Sequence, residues 1–227
     1  MSLDFVLFDL DGVLVDSRVP ISRCMNHALR ALGHAPEPEA RLYRWIGPPL
    51  DTAFRGILEA RGFPDPEADV AGLVDAYRER YATVSLTDTE AMPGVGAALD
   101  RLRSRLVLGV ATAKPAEFAL PILESLGLAD RFAAIVGAPL VDSHREPKTR
   151  TVERARAAIG YAGGRGAMVG DRAIDVVAGR GNGLHCVTVA WGIGDEDELR
   201  AAGPDHHARS PEALADWLLG GAGREPA

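Results

Sequence analysis

Short runs of apolar residues recur along the chain, and longer stretches with a helical period separate most of them. Most runs are rich in β-branched residues, which is typical of strands buried on both faces of a parallel sheet. These runs occupy residues 5–8, 106–111, 133–136, 167–169 and 186–191. The stretches with apolar residues at spacings of three and four occupy residues 99–102, 118–126 and 152–159. This alternation predicts an α/β fold with a doubly wound parallel sheet.

One interval, residues 17–89, interrupts that rhythm because it contains no strand pattern. Apolar periodicity predicts several helices there, and prolines separate them. The predicted helices occupy residues 21–32, 50–58 and 70–81. An insertion of about 70 residues is too long for a simple connection between a strand and the next helix. We therefore expect residues 1–16 and 90–227 to form the core and residues 17–89 to form a small, all-helical second domain.

The composition is typical of a globular protein with one large domain or a core and an insertion. The chain has 227 residues, of which 47% are hydrophobic and 25% charged, which excludes a disordered or fibrous chain. Lys and Arg number 25 against 32 Asp and Glu, so the formal net charge is −7. Because proteins that bind nucleic acids usually present a basic surface, we expect no nucleic acid partner.

The cysteines and the apolar runs indicate a cytoplasmic location. Cys24 and Cys186 lie far apart and form no CxxC motif, which favours a reducing compartment. No apolar run approaches the ~18 residues that would suggest a membrane span. The N-terminal segment has no basic stretch before its apolar residues, so we expect no signal peptide.

Two carboxylates follow the first predicted strand, in the segment Asp9-Leu10-Asp11-Gly12. Residues i and i+2 of an extended chain point to the same side, so we expect the Asp9 and Asp11 side chains to be close. Two like charges at that separation repel one another unless a cation compensates them. The alternative interpretation is a strand that ends in a polar turn, where Asp and Gly are common.

A second pair of carboxylates, Asp171 and Asp175, follows the predicted strand at residues 167–169. If a helix starts there, their spacing of four places both side chains on one face. The alternative is that Asp171 is an N-cap and Asp175 a solvated acid in the first helical turn.

Thr112 and Lys148 complete the set of candidate residues. Thr112 ends a predicted strand and Pro115 begins a helix, so the hydroxyl and free N–H groups there suit phosphate oxygens. Lys148 lies at the start of another predicted helix, where the dipole disfavours a cation unless an anion lies alongside. Taken alone, Thr112 is an ordinary residue near a helix start and Lys148 a solvated surface lysine.

The combination is more specific than its parts. Asp9, Asp11, Thr112 and Asp171 all lie at carboxyl ends of predicted strands, which is where ligands bind in doubly wound sheets. Oxygen ligands around an open site suit Mg²⁺, which binds few protein carboxylates and keeps waters and substrate phosphate. The pattern therefore predicts a Mg²⁺ site beside a phosphate site.

These four segments, in this order and spacing, resemble the motifs of the haloacid dehalogenase superfamily of phosphohydrolases. Those motifs are Asp-x-Asp-Gly-Val, a Ser or Thr at a strand end, a Lys, and Gly-Asp-x-x-x-Asp. The resemblance covers essentially the whole chain, and the helical insertion resembles the α-helical cap of the family. Within the superfamily the chain looks most like the phosphoglycolate phosphatase group. Residues 46–50, 111–115 and 191–194 are more narrowly similar to its bacterial 5′-nucleotidase-like branch.

The resemblance implies a catalytic role for each aspartate. Asp9 would be the nucleophile that becomes an aspartyl phosphate. Asp11 would protonate the leaving oxygen and later deprotonate the hydrolytic water. Mg²⁺ would be bound by Asp9, by the backbone carbonyl of Asp11 and by Asp171, with Asp175 steadying the site.

The resemblance also implies that Thr112 and Lys148 hold the phosphoryl oxygens. Two departures from the family pattern affect this part of the site. Ala113 stands where relatives often have a polar residue, so only its backbone N–H remains for binding. Lys148 follows Pro147, whereas many relatives have the reverse order, and Lys114 is therefore a competing electrostatic partner.

The implied partner is a small phosphorylated metabolite, bound by a monomer or a weak homodimer. We expect a phosphoglycolate phosphatase-like activity, with hydrolysis of nucleoside monophosphates as the alternative. A catalytically silent phosphate-binding protein on the same fold is the alternative from another class. In the helical insertion, Arg18 and Arg44 are candidates to face the site, and Arg44 would contact a carboxylate or second anion. The competing interpretation of Arg44 is a surface arginine.

Overall fold

The computed structural model describes residues 3–140 and 146–221, and all structural statements below concern these residues. The strands, in chain order, are β1 (Phe5–Phe8), β2 (Val15–Asp16), β3 (Glu90–Ala91), β4 (Val107–Pro115), β5 (Ala134–Ala138), β6 (Gly166–Gly170), β7 (His185–Val189) and β8 (His206–Ala208). Six of them form one parallel sheet in the order β5-β4-β1-β6-β7-β8. The short strands β2 and β3 pair with each other in antiparallel orientation.

Helices lie between the strands in the pattern expected of a doubly wound fold. In chain order they are α1 (Arg18–Ala31), α2 (Glu39–Leu42), α3 (Leu50–Ala60), α4 (Glu67–Val84), α5 (Val95–Leu102), α6 (Ala116–Ser125), α7 (Lys148–Ala158), α8 (Ala173–Gly181), α9 (Glu196–Ala202) and α10 (Pro211–Asp216). The α/β fold class predicted from the sequence is therefore confirmed. No helix in residues 3–140 and 146–221 is long and apolar enough to cross a bilayer.

Each of the five apolar runs predicted as strands forms a strand of the parallel sheet. All four residues of β1 are buried, as continuous apolar runs in parallel sheets require. The boundaries of four of the five strands differ from the prediction by one to four residues. The strand predicted at 106–111 continues to Pro115 through an irregular register between Thr112 and Pro115, and the run at 186–191 ends at Val189.

The helical insertion, residues 17–89, contains α1 to α4 and no strand among its residues up to Thr89. Helix α1 packs on α4, and α3 packs on α4 as well. Gly33 ends α1 at φ +80°, and the N–H groups of Gly33 and His34 donate to the carbonyls of Arg30 and Leu29. The pairing of β2 with β3 brings the two connections of the insertion side by side, so its chain leaves and re-enters the core at one place.

The topology places one crevice at the carboxyl edge of the sheet. In chain order, β4 and β5 are added to the sheet on one side of β1, and β6 is then added on the other side of β1. The order therefore reverses between β1 and β6, and ligands of doubly wound sheets bind outside such a reversal. Asp9 follows β1 directly and Asp171 follows β6 directly, so both residues lie at this crevice.

Candidate active site

Three buried carboxylates meet at the reversal point of the sheet. Asp9, Asp171 and Asp175 are 4%, 2% and 1% exposed, and each contributes one oxygen to a group within 4.8 Å. The Asp9 N–H donates to the Val169 carbonyl at 2.9 Å, which continues the pairing of β1 with β6 beyond the last strand residue. The sheet itself therefore brings the first and fourth sequence motifs together. We call Asp9, Asp171 and Asp175 the carboxylate cluster.

Lys148 supplies the positive charge at the carboxylate cluster. Its Nζ lies 2.6 Å from Asp9 Oδ2 and 2.5 Å from Asp175 Oδ1. Burial alone would lower the pKa of Lys148, but the charges of Asp175 and Asp9 outweigh burial and raise its pKa above the ordinary value. The side chain is therefore an ammonium group, and it is buried at the start of α7 where the sequence placed it.

The pKa of Asp171 indicates that the single positive charge of Lys148 does not neutralise the negative charge of the carboxylate cluster. Burial, followed by the charges of Asp175 and Asp9, raises the pKa of Asp171 to about 8. A backbone N–H from Ile193 donates to Asp171 Oδ2 at 2.6 Å and opposes that shift. The excess of negative charge and the all-oxygen donor set fit a hard divalent cation.

Glycines allow the chain to close around Asp171. A Cβ added at Gly12 would lie 2.1 Å from Asp171 Oδ2, and one at Gly192 would lie 2.3 Å from Asp171 Cβ. Gly194 is equally close, since its Cβ would meet the Asp171 carbonyl oxygen at 1.8 Å. Gly12 also has φ +79°, a conformation that favours glycine. Residues 191–194, singled out by resemblance, thus form the wall behind Asp171.

The expected arrangement of Asp171 and Asp175 on one helical face is wrong. Helix α8 begins at Ala173, so Asp171 precedes the helix and Arg172 is the N-cap. Asp175 is the third helical residue, and its Oδ2 accepts from the N–H groups of Asp171 at 3.2 Å and Arg172 at 3.0 Å. The turn before the helix, and not a shared helical face, brings the two carboxylates together.

Asp11 lies in a second polar group and not in the carboxylate cluster. Asp11 Oδ1 is 3.0 Å from the Nζ of Lys114. The same Nζ donates to the hydroxyl of Tyr81 on α4 at 2.5 Å. Burial alone would lower the pKa of Lys114, but the nearby Asp11 and Tyr81 raise it above the ordinary value. We call Asp11, Lys114 and Tyr81 the Lys114 group.

A cavity lies between the core and the helical insertion at this site. Its volume is about 700 Å³ when the space open to solvent is included. Asp9, Asp11 and residues 112–115 form its polar floor. Apolar and aromatic residues form most of the opposite wall. They include Ile21, Met25, Trp45, Ile46, Pro48, Pro49, Leu50, Tyr77 and Tyr81. A phosphate placed on the floor would therefore have its organic group against an apolar wall.

The structure brings most of the predicted substrate residues to this cavity. Thr112, Ala113 and Lys114 line it, and the Lys114 N–H donates to Thr112 Oγ1 at 3.2 Å. Arg44 is exposed and does not line the cavity, although its guanidinium lies 5.0 Å from the centre of the ring of Trp45, which does. Arg18 pairs with Asp16 at 2.6 Å and also lies outside the lining. The contact of Arg44 with substrate stays a prediction without structural support.

Sequence reasoning missed the three residues of α4 that line the cavity, Tyr77, Arg78 and Tyr81. Arg78 Nη2 donates to the Leu140 carbonyl of the core at 2.8 Å. The predicted helix at 70–81 contained the signal. Val70, Leu73, Tyr77 and Tyr81 repeat at spacings of three and four, so a polar residue next to Tyr77 flanks the buried face.

Comparisons with known proteins agree with this geometry. The family described as "Haloacid dehalogenase-like hydrolase" matches residues 6–189. The chain is 37% identical over 214 residues to a protein of Pseudomonas aeruginosa named 5'-nucleotidase, and the match covers 94% of each chain. It is 30% identical over 201 residues to a phosphoglycolate phosphatase of Yersinia pseudotuberculosis, covering 88% of this chain and 86% of the relative.

A solved structure shows the same fold over nearly the whole length. A predicted phosphatase from Clostridium acetobutylicum superposes with a TM-score of 0.86 at 31% identity. The superposition covers 96% of this chain and 99% of the other. The similarity therefore extends over both the parallel sheet and the helical insertion.

Proposed function

Because the chain belongs to the haloacid dehalogenase-like hydrolase family and is a phosphoric monoester hydrolase, we propose that it hydrolyses a small phosphomonoester through an aspartyl phosphate at Asp9. The observation that carries this proposal is the contact of buried Lys148 with Asp9, the member of the carboxylate cluster that lines the cavity. The family supplies the general reaction, and the positions of individual residues support each step below.

Asp9 is the proposed nucleophile. Its Oδ1 accepts from the Leu10 N–H at 2.8 Å and its Oδ2 contacts Lys148, so the carboxylate is held in one orientation. A carboxylate oxygen attacks phosphorus, and the ester P–O bond breaks with its electron pair on the leaving oxygen. Water then attacks the aspartyl phosphate, which releases inorganic phosphate and restores the Asp9 carboxylate.

Asp11 is the proposed acid and base. It lines the same cavity as Asp9, two residues further along the chain. Its carboxyl proton passes to the leaving oxygen in the first step, and the attacking water returns a proton to it in the second. Acid–base assistance of this kind contributes about 10²–10⁴-fold to rate. An acid is needed for an ester oxygen, which leaves poorly as an anion.

Four groups are proposed to bind the transferred phosphoryl oxygens. Thr112 offers its hydroxyl, Ala113 its backbone N–H, and Lys114 and Lys148 their charges. Lys148 already contacts the proposed nucleophile, whereas Lys114 contacts the proposed acid. The two lysines therefore support different atoms of the reaction, and both are assigned to the site.

The residues present fit a divalent metal, and we propose Mg²⁺. The carboxylate of Asp9, the backbone carbonyl of Asp11 and the carboxylate of Asp171 would hold it, with Asp175 ordering Lys148 and the turn at Asp171. Such a cation stabilises the negative charge that develops on the phosphoryl oxygens. Within the carboxylate cluster, we expect removal of the Asp9 or the Asp171 carboxylate to weaken metal binding most.

The proposed substrate is a small metabolite of the phosphoglycolate type. Arg78 on the cavity wall supports this choice, because a guanidinium suits a carboxylate on the leaving group. A nucleoside monophosphate is the second candidate, since the aromatic wall suits a flat base and one relative is named 5'-nucleotidase. We propose a cytoplasmic location, because Cys24 and Cys186 are free and buried, and a monomer or weak homodimer.

A phosphatase screen tests the proposal. Phosphate release is measured from 2-phosphoglycolate, nucleoside 5′-monophosphates and sugar phosphates, with Mg²⁺ and with EDTA, and the substrates are ranked by kcat/KM. We expect turnover that needs Mg²⁺ and that Asp9→Asn abolishes, while the exposed control Asp130→Asn retains it. A folded protein without turnover on any ester would instead indicate a silent binding protein. Full activity of Asp9→Asn would overturn the covalent role.

A further inference from the structure

Lys114 is the only described lysine that contacts both the core and the helical insertion through its ammonium group. It lies on β4, Asp11 lies in the loop after β1, and Tyr81 belongs to α4. The ammonium group is 2.5 Å from the Tyr81 hydroxyl and 3.0 Å from Asp11 Oδ1. Tyr81, a residue of the insertion, is thus connected through the Lys114 side chain to Asp11, the proposed acid.

Burial makes this contact specific. Tyr81 is 2% exposed, and the side chains of Lys114 and Asp11 are 6% and 13% exposed. A buried ammonium group needs partners for its N–H donors, since an unpaired charge in such a place is costly. The hydroxyl of Tyr81 fills one of these requirements, and its ring lies 4.6 Å from the same nitrogen. Tyr81 therefore helps to fix the position of the Lys114 ammonium group beside Asp11.

The ring of Tyr81 is itself fixed from two sides. It stacks on Tyr77 with ring centres 5.3 Å apart and meets Phe118 of α6 edge-on at 5.5 Å. Phe118 belongs to the core, so the Tyr81 side chain is packed into the seam between core and insertion. The position of the Tyr81 side chain therefore depends on how α4 packs against the core.

We propose that Tyr81 is a positioning residue that acts through Lys114 to fix the Asp11 carboxyl for proton delivery to the leaving oxygen. This inference rests on the proposed role of Asp11. Lys114 Nζ lies 3.0 Å from Oδ1 of Asp11, and in this proposal the other carboxyl oxygen carries the proton to the leaving group. The ester P–O bond then breaks as the proton passes from Asp11 to the leaving oxygen, and no further reactant is needed. The acid is fully oriented only when α4 covers the cavity.

Leaving groups of different basicity separate this role from a structural one. Phenyl phosphate and 4-nitrophenyl phosphate have nearly the same shape, but phenolate is the poorer leaving group and depends more on proton donation. We expect Tyr81→Phe to lower kcat/KM about tenfold on phenyl phosphate and less than about threefold on 4-nitrophenyl phosphate. A loss that is equal on the two esters, or no loss, overturns the inference.

Tyr77→Phe is the matched control, since it removes a hydroxyl one turn earlier on α4 that makes no hydrogen bond with any residue in 3–140 and 146–221. Because Tyr77 also lines the cavity, its loss can change binding, but we expect it to leave the ratio between the two esters unchanged. The same change of ratio in Tyr77→Phe would contradict a role specific to Tyr81. Thermal melting of each variant confirms that it is folded.

A double-mutant cycle tests whether Tyr81 acts through Lys114. Lys114→Met should show the same dependence on leaving group, and adding Tyr81→Phe to it should cause no further loss on phenyl phosphate. Additive losses would place Tyr81 outside this route and overturn the inference. If the wild type releases no phosphate from any ester of the phosphatase screen or from these two aryl esters, or if Asp9→Asn is fully active, the proposed function fails and the inference fails with it. Failure confined to the Tyr81 variants leaves the proposed function standing.

Discussion

Two buried lysines with different surroundings lie at this site. Lys148 and its two carboxylate partners all come from the sheet core, at the ends of β1, at α7 and in α8. Lys114 is held between Asp11 of the core and Tyr81 of the helical insertion. The carboxylate cluster is therefore assembled by the core alone, whereas the Lys114 group is complete only with the insertion in contact. Lys148 contacts the proposed nucleophile, whereas Lys114 links the proposed acid to the insertion.

Two arginine side chains also form hydrogen bonds between the insertion and the core. Arg172, directly after Asp171, donates to the carbonyl of Ile46 in the insertion and pairs with Glu198 of α9 at 3.0 Å. Arg78 of α4 donates to the core carbonyl of Leu140. The insertion is therefore held to the core both beside Asp171 and beside the Lys114 group.

Removing each lysine in turn tests the comparison most strongly. We expect Lys148→Met to lower kcat/KM by more than about 10³-fold and to destabilise the fold by about 3–5 kcal/mol, because it leaves buried carboxylates without their cation. Lys114→Met should cost less on both measures, since Asp11 is more exposed than Asp9. Steady-state kinetics and urea unfolding measure the two effects. The reverse ranking would contradict the assignment of the lysines.

Metal binding should depend on the carboxylate cluster and not on the Asp11 side chain. We expect Mg²⁺ to stabilise the wild type against thermal unfolding, by about 2.7 kcal/mol at a concentration of 100 times Kd. EDTA should abolish this stabilisation, and Asp171→Asn should remove most of it, because Asp171 belongs to the cluster. Asp11→Asn should retain it, since the Asp11 carboxylate lies on Lys114. Equal losses in the two variants would contradict the division.

The glycine wall behind Asp171 allows a test that leaves every charged group in place. Gly192→Ala adds a Cβ that would lie 2.3 Å from Asp171 Cβ, so we expect Asp171 to shift and Mg²⁺ affinity to fall about 10–100-fold. Gly163→Ala is the control, because a Cβ there meets nothing within 4 Å. Calorimetric titration with Mg²⁺ measures both variants. Unchanged affinity in Gly192→Ala would show that the wall does not position Asp171.

The smallest predicted effect concerns substrate choice at the α4 wall. We expect Arg78→Met to lower kcat/KM about tenfold on 2-phosphoglycolate and less than about threefold on 2-hydroxyethyl phosphate, which lacks the carboxylate. Arg80→Met, an exposed arginine on the same helix, should change neither value. Similar losses on the two esters would assign Arg78 a structural role and remove the support for a carboxylate-bearing substrate.

Local patterns were sufficient to predict the sheet and to place Asp9 and Asp171 at its carboxyl edge. Strands buried on both faces are continuous apolar runs, so β1 and β6 were readable directly, and Asp9 and Asp171 follow them in the sequence. The start of α8 was not readable. Arg172 is an unusual N-cap residue, and the Asp175 side chain caps the helix by accepting from backbone N–H groups in the turn.

Contacts across the seam could not be read from the sequence. The periodicity of α4 shows that Tyr81 is buried, but not that its hydroxyl meets an ammonium group from β4. The sequence made Arg18 and Arg44 the candidates to face the site, yet Arg78 lines the cavity and these two arginines do not. Which side chain of a helical insertion reaches the core depends on how the two pack, and this packing leaves no local pattern.

The central claim is that Asp9 carries the phosphoryl group during turnover. Asp11→Asn should slow hydrolysis of the intermediate, so mixing it with Mg²⁺ and 4-nitrophenyl phosphate, quenching in acid and analysing peptides by mass spectrometry should reveal a phosphoryl adduct. We predict that the adduct lies on Asp9, that borohydride converts this residue to homoserine, and that Asp9→Asn forms no adduct. Release of nitrophenol with no adduct in Asp11→Asn, or an adduct on another residue, would contradict the account.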